Sequence, residues 1–353
     1  MNILMENEEI TLYLDANIHS RLKEELKIFR LGSIESSLIK RIVVNYYPKY
    51  NEEKSKLENI IIDAFRDENI SYDLSEDEYQ NISWKIIKHL GEASLYNSSS
   101  KKSNKKDKIH LRINKNDDYF EHTLEFCQIG VSLSDFIANI IYSYFQEPRH
   151  EREKIIFNDV YLKLQQVIDN NQQVSISAKS NTRETTIIKN IEPKKICVSK
   201  EGLYNYLLYK ETLNGKESAM SIHLYNISTV VSAPTKSSFS AEINNYFKRM
   251  EINGVQYSIN SNTIYKVKFT KKGKDLYNNN LKYIERPVAL DNSDIENGVY
   301  YFDCCQMQFE NYFASFFDEI EILEPVSYKY RFNLKKIGIN NYHKNIKYYK
   351  RRS

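Results

Sequence analysis

Basic and aromatic residues alternate near the C-terminal end of the chain, in a pattern suited to binding nucleic acid. Between Pro325 and Ser353 there is no Asp or Glu, and nine residues are Lys or Arg, among them Lys347, Lys350 and Arg351. Because the whole chain has a net charge of +3, everything before this stretch carries −6. Cations neutralise phosphates and aromatic rings stack on bases, so we predict that the tail 327–353 binds single strands. An AT-rich genome would also enrich Lys and Tyr, but it would not remove every acidic residue from one segment.

No catalytic or metal-binding motif is recognisable elsewhere in the sequence. The four cysteines, Cys127, Cys197, Cys304 and Cys305, form no CxxC pair, and the seven histidines form no HExxH motif. The GxGxxG, P-loop and GxSxG motifs are absent as well. Cys304 and Cys305 are adjacent in an apolar stretch, which is typical of reduced core residues. We therefore expect no catalytic residue, no metal and no cofactor, and we predict a binding protein instead of an enzyme.

Length and composition predict a folded protein of several domains. The chain has 353 residues, of which 41% are hydrophobic and 27% are charged. This length favours two or three domains, and the apolar fraction excludes global disorder. No stretch approaches the roughly 18 consecutive apolar residues of a membrane span, and the N-terminus lacks the pattern of a secretory signal. We expect a cytoplasmic protein with no membrane partner.

The first half of the chain contains a repeat. A strand, a helix, a glycine and a second helix occur at residues 8–50 and again at 108–148, separated by a helical insert and basic linker at 51–107. The second helices are expected at Ser33–Tyr47 and Ser132–Phe145, each followed by a proline. A shift of 98 residues superimposes Leu26 on Leu124, Gly32 on Gly130, Ser36 on Ser134, Ile39 on Ile137 and Tyr46 on Tyr144.

This order of elements resembles the ribbon–helix–helix fold, in which two copies pair their strands into a ribbon that enters the DNA major groove. The resemblance implies that alternate strand residues face outward to read DNA: Thr11, Tyr13, His110 and Arg112. It also implies that the second helices hold a phosphate at Ser33 and Ser132. The alternative is that the copies form a dimerisation or docking platform. The pattern leaves open whether they pair within one chain or between two chains.

The second half begins with a helix at 151–170 and continues with short strands over 171–234, typical of a small barrel. The residues Ile191-Glu192-Pro193, Gly202–Leu208 and Ile222–Ile227 resemble the WYL domain, an Sm-like β-barrel of bacterial regulators. Asn205 and Asn226 replace a Trp and an Arg that are usual in that family. The resemblance implies one exposed basic and aromatic face formed by Lys179, Arg183, Lys189, Tyr206, Lys210 and His223. For Tyr206, a place in the core is the alternative.

Residues 235–326 alternate between helices and strands and end at Glu324-Pro325. This segment resembles the WCX module that usually follows WYL domains, which implies an α/β ferredoxin-like fold. Two features predict a homodimer. The repeated first half is rich in apolar residues, and an aromatic helix at Phe309–Phe317 is expected to be exposed.

The expected fold class is therefore multidomain α+β, with a duplicated ribbon–helix–helix, an Sm-like barrel and a WCX module. This combination is similar to the WYL accessory proteins of type VI-D CRISPR systems. The resemblance implies a protein that binds single-stranded RNA and modulates an RNA-guided RNase. The alternative is a DNA-binding transcriptional regulator with a ligand-sensing barrel.

Overall fold

A computed structural model describes the chain in six stretches and a few single residues. The described residues are 9–67, 75, 78, 82–83, 85–86, 106–113, 117–127, 131–179, 186–279 and 285–329. They form a mixed α/β structure that divides into two compact units, Met1–Asp159 and Val160–Ser353. Arg183 and the tail from residue 330 onward, both predicted to bind nucleic acid, lie outside the described residues.

The first unit contains both copies of the repeat. Its elements are β1 (Glu9–Asp15), α1 (Ala16–Ile28), α2 (Glu35–Asp67), β2 (Lys106–Arg112), α3 (Asp118–Leu124), α4 (Leu133–Tyr144) and α5 (Arg149–Ile156). Each copy follows the predicted order of a strand and two helices. Ser132 caps α4 because its side chain accepts a hydrogen bond from the Asp135 N–H, which explains why that helix begins where the sequence places it.

The strands β1 and β2 pair with each other in an antiparallel ribbon within one chain. Thr11 lies opposite His110 and Leu12 lies opposite Ile109. Side chains alternate along each strand, so one face of the ribbon is buried, including Leu12 and Leu14, which have no exposed surface. The open question about pairing is therefore answered for these two strands, because a single chain supplies both halves of the ribbon.

The two copies also pack against each other through equivalent helices. Tyr46 in α2 and Tyr144 in α4, which the shift of 98 residues superimposes, are buried with ring centroids 6.0 Å apart in an edge-to-face arrangement. Ile39 and Ile137, another equivalent pair, have no exposed surface. Contact between equivalent residues is the relation expected of a two-fold arrangement, so duplication produces an internal pseudo-dimer.

The helix α2 differs from the sequence prediction. The prediction ends this helix at Tyr47 and places a separate helical insert from residue 51 onward, but one helix continues from Glu35 to Asp67 with Pro48 inside it. A proline in a helix interior removes one backbone hydrogen bond and costs about 3 kcal/mol. Tyr46 and Tyr50 are buried on either side of Pro48, so packing of both segments on the same unit offsets this cost.

The helix α6 (Asn158–Asp169) leads into the second unit, which contains a five-stranded antiparallel sheet. The strands are β3 (Gln172–Lys179), β4 (Thr186–Val198), β5 (Asn205–Leu213), β6 (Lys216–His223) and β7 (Ile227–Lys236), in the order β6-β5-β4-β3-β7. The strand β4 is the longest of the five, with 13 residues, and it has two partners. The first part of β4 pairs with β3 and the second part with β5, with a register shift between Pro193 and Lys195.

The sequence prediction of a closed barrel is not met by the described residues. There β6 and β7 are the two edges of the sheet and do not pair with each other. The edge of β6 is instead occupied by Asn260, whose amide accepts from the Ala219 N–H at 2.6 Å and donates to the Ala219 carbonyl at 2.9 Å. Closing a barrel requires hydrogen bonds between its edge strands, and here a side chain takes that position on β6.

The remaining elements form a helix on the large sheet and a smaller α/β region. They are α7 (Ala241–Asn253), β8 (Tyr265–Phe269), α8 (Lys271–Asn279), β9 (Val299–Phe302), α9 (Gln306–Phe313) and β10 (Ile320–Glu324). The helix α7 buries Phe247 and Met250 against Leu208 and Ala219. The strands form an antiparallel sheet in the order β10-β8-β9. A ferredoxin-like assignment of this region remains a prediction.

The aromatic helix that the sequence analysis expected to be exposed is instead a core element. Phe309 and Phe313 have no exposed surface and Phe316 is 1% exposed. They pack with Phe269 and Phe302 in one aromatic core. The prediction that this helix forms a dimer surface is wrong, because its rings face the sheet within the same unit.

Candidate nucleic-acid interface

The outward face of the β1–β2 ribbon carries the four strand residues predicted to read DNA. Tyr13, His110 and Arg112 are exposed, and Thr11 is half-buried. His110 Nδ1 lies 2.7 Å from a carboxylate oxygen of Glu9 across the ribbon. The row along β2 is the more basic of the two, and it includes two exposed lysines that the sequence analysis did not select, namely Lys106 and Lys108. These lysines could have been identified from the sequence, because basic residues alternate along β2 with the apolar Ile109 and Leu111.

The second helices do not offer the expected phosphate sites. The helix α2 begins at Glu35, not at Ser33, and Glu35 lies 2.7 Å from His19 Nε2. In α4 the hydroxyl of Ser132 is already bonded to the Asp135 N–H. Both first turns thus contain a carboxylate, which already complements the positive end of the helix dipole and repels a phosphate.

Two of the basic residues predicted on the five-stranded sheet, Lys189 and Lys210, are paired with carboxylates. Lys210 is only 4% exposed, and its Nζ lies 2.8 Å from both Glu192 and Glu217. Lys189 is half-buried and its Nζ lies 3.0 Å from Glu211. A lysine whose charge is balanced by a carboxylate in this way offers little net charge to a phosphate.

The predicted single basic and aromatic face on this sheet is not formed. Lys189 lies beside Tyr209, with its Nζ 5.9 Å from the ring centroid. Tyr206 and Lys210 alternate with Tyr209 along β5, so they lie on the opposite face of the sheet. Lys179 is exposed at the end of β3. The sequence alone could not show on which face of the sheet each of these residues lies.

Two of the predicted residues belong to a compact aromatic cluster, which we define as Tyr204, Tyr206, His223 and Tyr225. His223 lies between two tyrosines, with ring centroids 4.1 Å from Tyr206 and 4.6 Å from Tyr225, and interplanar angles of 37° and 30°. Tyr204 meets His223 edge-on at 5.4 Å. The Tyr206 hydroxyl and His223 Nε2 are 2.9 Å apart.

The strands β5 and β6 and the turn after them hold the aromatic cluster in place. Tyr206 and His223 are cross-strand partners. Tyr225 lies in the helical turn Leu224–Asn226, whose first and last residues are fully buried. All four rings of the cluster are half-buried, so Tyr206 is neither a pure core residue nor a fully exposed one. The sequence analysis missed Tyr204 and Tyr225, because their proximity depends on the strand pairing and on the turn.

The cysteines do not form a reactive site. Burial raises the pKa of Cys197 to about 11, and burial also raises the pKa of Cys304 and Cys305. These thiols stay protonated near neutral pH, and a protonated thiol is a poor nucleophile. Among the described residues, no group of three or more His, Cys, Asp or Glu side chains is arranged to hold a metal ion. No helix in the described part of the chain is long and apolar enough to cross a membrane.

Comparison with known proteins identifies a likeness of fold. No family model matches the chain, and no curated protein matches it. A solved structure described as the crystal structure of a CRISPR Cas-related protein superposes on 98% of this chain and 96% of its own, with a TM-score of 0.63 and 20% sequence identity. The two proteins therefore share a fold. Proteasome accessory factor B/C (PafBC) of Arthrobacter aurescens aligns with 65% of this chain and 36% of its own at 12% identity and a TM-score of 0.28, too low to indicate a shared fold.

Proposed function

We propose that this protein binds single-stranded RNA and modulates an RNA-guided RNase of a type VI-D CRISPR system, without catalysing a reaction itself. The aromatic cluster carries the RNA-binding part of the proposal. The fold shared with a CRISPR Cas-related protein supports the CRISPR part. The proposal includes the finer domain assignments: ribbon–helix–helix for the two N-terminal copies, WYL for the sheet β3–β7 and WCX for the region from α7 to β10. Its site of action is the cytoplasm.

The aromatic cluster suits unpaired bases because its rings are close, similarly oriented and partly open to solvent. Tyr206, His223 and Tyr225 lie face to face with tilts of 30° to 37°. Stacking of a base on such a ring contributes about 1–3 kcal/mol and tolerates any base, because every base has a π-face. Duplex bases are already stacked on each other, so this surface favours a single strand.

Replacing Tyr225 with Ala tests the proposal. We expect the affinity for a single-stranded RNA to fall about 5- to 150-fold, which corresponds to removing one stacking interaction of about 1–3 kcal/mol. The Tyr225→Phe variant keeps the ring and should bind like the original protein. Fluorescence anisotropy with a labelled oligouridine measures both affinities.

The control is Tyr119→Ala, which removes a tyrosine that is 80% exposed and lies outside the aromatic cluster. It should leave RNA affinity unchanged. If Tyr225→Ala and Tyr119→Ala bind RNA equally well, stacking on the aromatic cluster does not contribute and the RNA-binding proposal loses its structural support.

A second candidate function, a DNA-binding regulator, is favoured by one specific observation. The row along β2 presents Lys106, Lys108, His110 and Arg112 on the solvent face of a two-stranded ribbon, the type of element that enters a DNA major groove. The β1 row opposite carries Glu9 and Asp15, so the net positive charge of the face is small.

We further propose that the protein assembles as a homodimer. The ribbon is completed within one chain, so a dimer would form through another surface. Light scattering that gives twice the mass of the chain supports the dimer, and the mass of a single chain contradicts it.

A further inference from the structure

A cavity of about 560 Å³ lies between the segment 254–264 and the start of α9, and none of the residues that line it belongs to the aromatic cluster. Its volume falls within the range of about 300–1,000 Å³ that is usual for small-molecule sites. The residues that line it are Gln256, Ser258, Asn260, Ser261, Thr263, Tyr265, Cys305, Gln306 and Met307.

None of these lining side chains is an acid or a base. Three of them are carboxamides, each of which both donates and accepts hydrogen bonds, and four carry a hydroxyl, one of which is the Tyr265 phenol. Burial raises the pKa of the Tyr265 phenol and of the Cys305 thiol, so both stay neutral at physiological pH. None of the lining side chains carries a charge that would pair with a phosphate, a carboxylate or an ammonium group, and the neighbouring carboxylates of Glu201 and Glu310 already accept from Gln256 and Gln306. The lining therefore favours an uncharged polar ligand.

The walls of the cavity are held rigidly although the segment 254–264 has no regular secondary structure. Asn260 is bonded twice to the backbone of Ala219 in β6. Arg249 in α7 donates to the Ser261 carbonyl at 2.8 Å and to the Asn262 side chain at 3.1 Å. A site fixed before the ligand arrives loses little conformational entropy on binding.

One further feature of the wall bears on the shape of the ligand. The Tyr265 ring is only 4% exposed and is stacked on Phe309 with centroids 4.3 Å apart, so it gives the wall a flat and rigid aromatic backing. Gln256 is also held in place, because its side-chain Nε2 donates to Glu201 at 3.3 Å.

We propose that this cavity binds the base of a nucleoside. A nucleobase is planar and uncharged, and its edge carries adjacent donors and acceptors that Asn and Gln side chains match. The ligand has two possible sources, an unpaired base of a bound strand or a free nucleoside. The cavity does not depend on the aromatic cluster, so this inference goes beyond the proposed function.

Binding of free nucleosides to the full chain tests the inference. Saturation-transfer NMR with uridine, cytidine, adenosine and guanosine should detect at least one nucleoside with a Kd of about 1 mM or tighter. The Ser261→Trp variant fills the cavity, while the Ser261 backbone carbonyl can still accept from Arg249. It should weaken nucleoside binding by at least about tenfold. The matched control is Ser232→Trp, at an exposed position on β7, which should bind as the original chain does.

A second pair of variants removes one carboxamide without filling the space. Gln306 and Gln165 are both helical and both donate to a carboxylate four residues later, at 2.6 Å and 2.9 Å. Only Gln306 lines the cavity. Gln306→Leu should weaken nucleoside binding and Gln165→Leu should not.

The outcomes separate this inference from the proposed function. Absence of nucleoside binding, equal binding of glucose, or unchanged binding by Ser261→Trp would each overturn it. If Ser261→Trp also lowers the affinity for single-stranded RNA, the base comes from the strand; if RNA affinity is unchanged, the ligand is a free nucleoside. A chain that binds nucleosides but no RNA would refute the proposed function and leave the cavity inference standing.

Discussion

Glu25 illustrates how single residues hold the repeated unit together. This carboxylate is 2% exposed, and it accepts hydrogen bonds from Arg152 Nε and from the Tyr144 hydroxyl, both at 2.5 Å. Burial and the carboxylate of Glu25 raise the pKa of Tyr144 well above its ordinary value, so the hydroxyl stays protonated and continues to donate. Glu25 of α1, Tyr144 of α4 and Arg152 of α5 thus contact one another at the buried carboxylate of Glu25. This contact links α1 of the first copy to α4 of the second.

Removing Arg152 should destabilise the first unit strongly. In Arg152→Met the Glu25 carboxylate stays buried without its counter-charge, and such a change costs about 3–5 kcal/mol. Urea unfolding followed by circular dichroism measures the decrease in the free energy of unfolding. The control is Lys154→Met on the same helix, which breaks a partly exposed ion pair to Glu151 at 2.8 Å and should cost less than about 1 kcal/mol. Equal unfolding midpoints for the two variants would show that the buried pair has no special role.

At the scale of elements, the ribbon has a buried face that is apolar and an outer face that carries both positive and negative charges. Its buried face is apolar, as the alternation of the sequence predicts. Its outer face has basic residues on β2 and acidic residues on β1, with Glu9 opposite Arg112 and Asp15 opposite Lys106. A face of this kind fits either a DNA ribbon or a docking platform.

The salt dependence of DNA binding distinguishes these two uses of the ribbon. The double variant Lys108→Gln with Arg112→Gln should lower the affinity for duplex DNA and reduce the log–log salt slope by about 0.9 for each phosphate that it no longer neutralises. A filter-binding series over salt concentration measures the slope. The control is Lys56→Gln on α2, an exposed lysine outside the ribbon. An unchanged slope would identify the ribbon as a platform that does not contact DNA phosphates.

At the scale of the whole molecule, charge is distributed very unevenly along the chain. The stretch from Pro325 carries +9 in a chain whose net charge is +3. Two of the predicted cations on the large sheet, Lys189 and Lys210, are held by carboxylates within the same unit. The tail is therefore the main source of unbalanced positive charge in the sequence, and it complements an aromatic cluster that contains no Lys or Arg.

Truncation after Gly338 tests the role of the tail. It removes five Lys and Arg residues, including Lys347, Lys350 and Arg351. We expect weaker binding to all single strands alike and a salt slope that is shallower by up to about 0.7 for each cation removed. Circular dichroism should show an unchanged fold, because few apolar residues are removed. If the truncated protein binds RNA as tightly as the full chain, the tail contributes to solubility and not to RNA binding.

Much of this architecture follows from local patterns in the sequence. Alternation of apolar residues at a period of two predicted strands, and helical spacing predicted α4 almost to the residue. That the strands pair in a ribbon with alternate residues facing outward was implied by the resemblance to the ribbon–helix–helix fold. The shift of 98 residues predicted the internal repeat, and Tyr46 and Tyr144 are indeed equivalent and in contact. These features depend on each residue and its near neighbours, so a single sequence contains the information.

Only the tertiary structure decided the features that depend on distant partners. The continuation of α2 through Pro48 required packing on both sides of the proline. Strand register and the paths of the loops decide three further features. These are the pairing of Lys210 with Glu192 and Glu217, the contact of Tyr225 with His223, and the cavity beside α9. The identity of a residue specifies its chemistry, whereas its neighbours in space are set by the free energy of packing the whole unit, which local spacing does not encode.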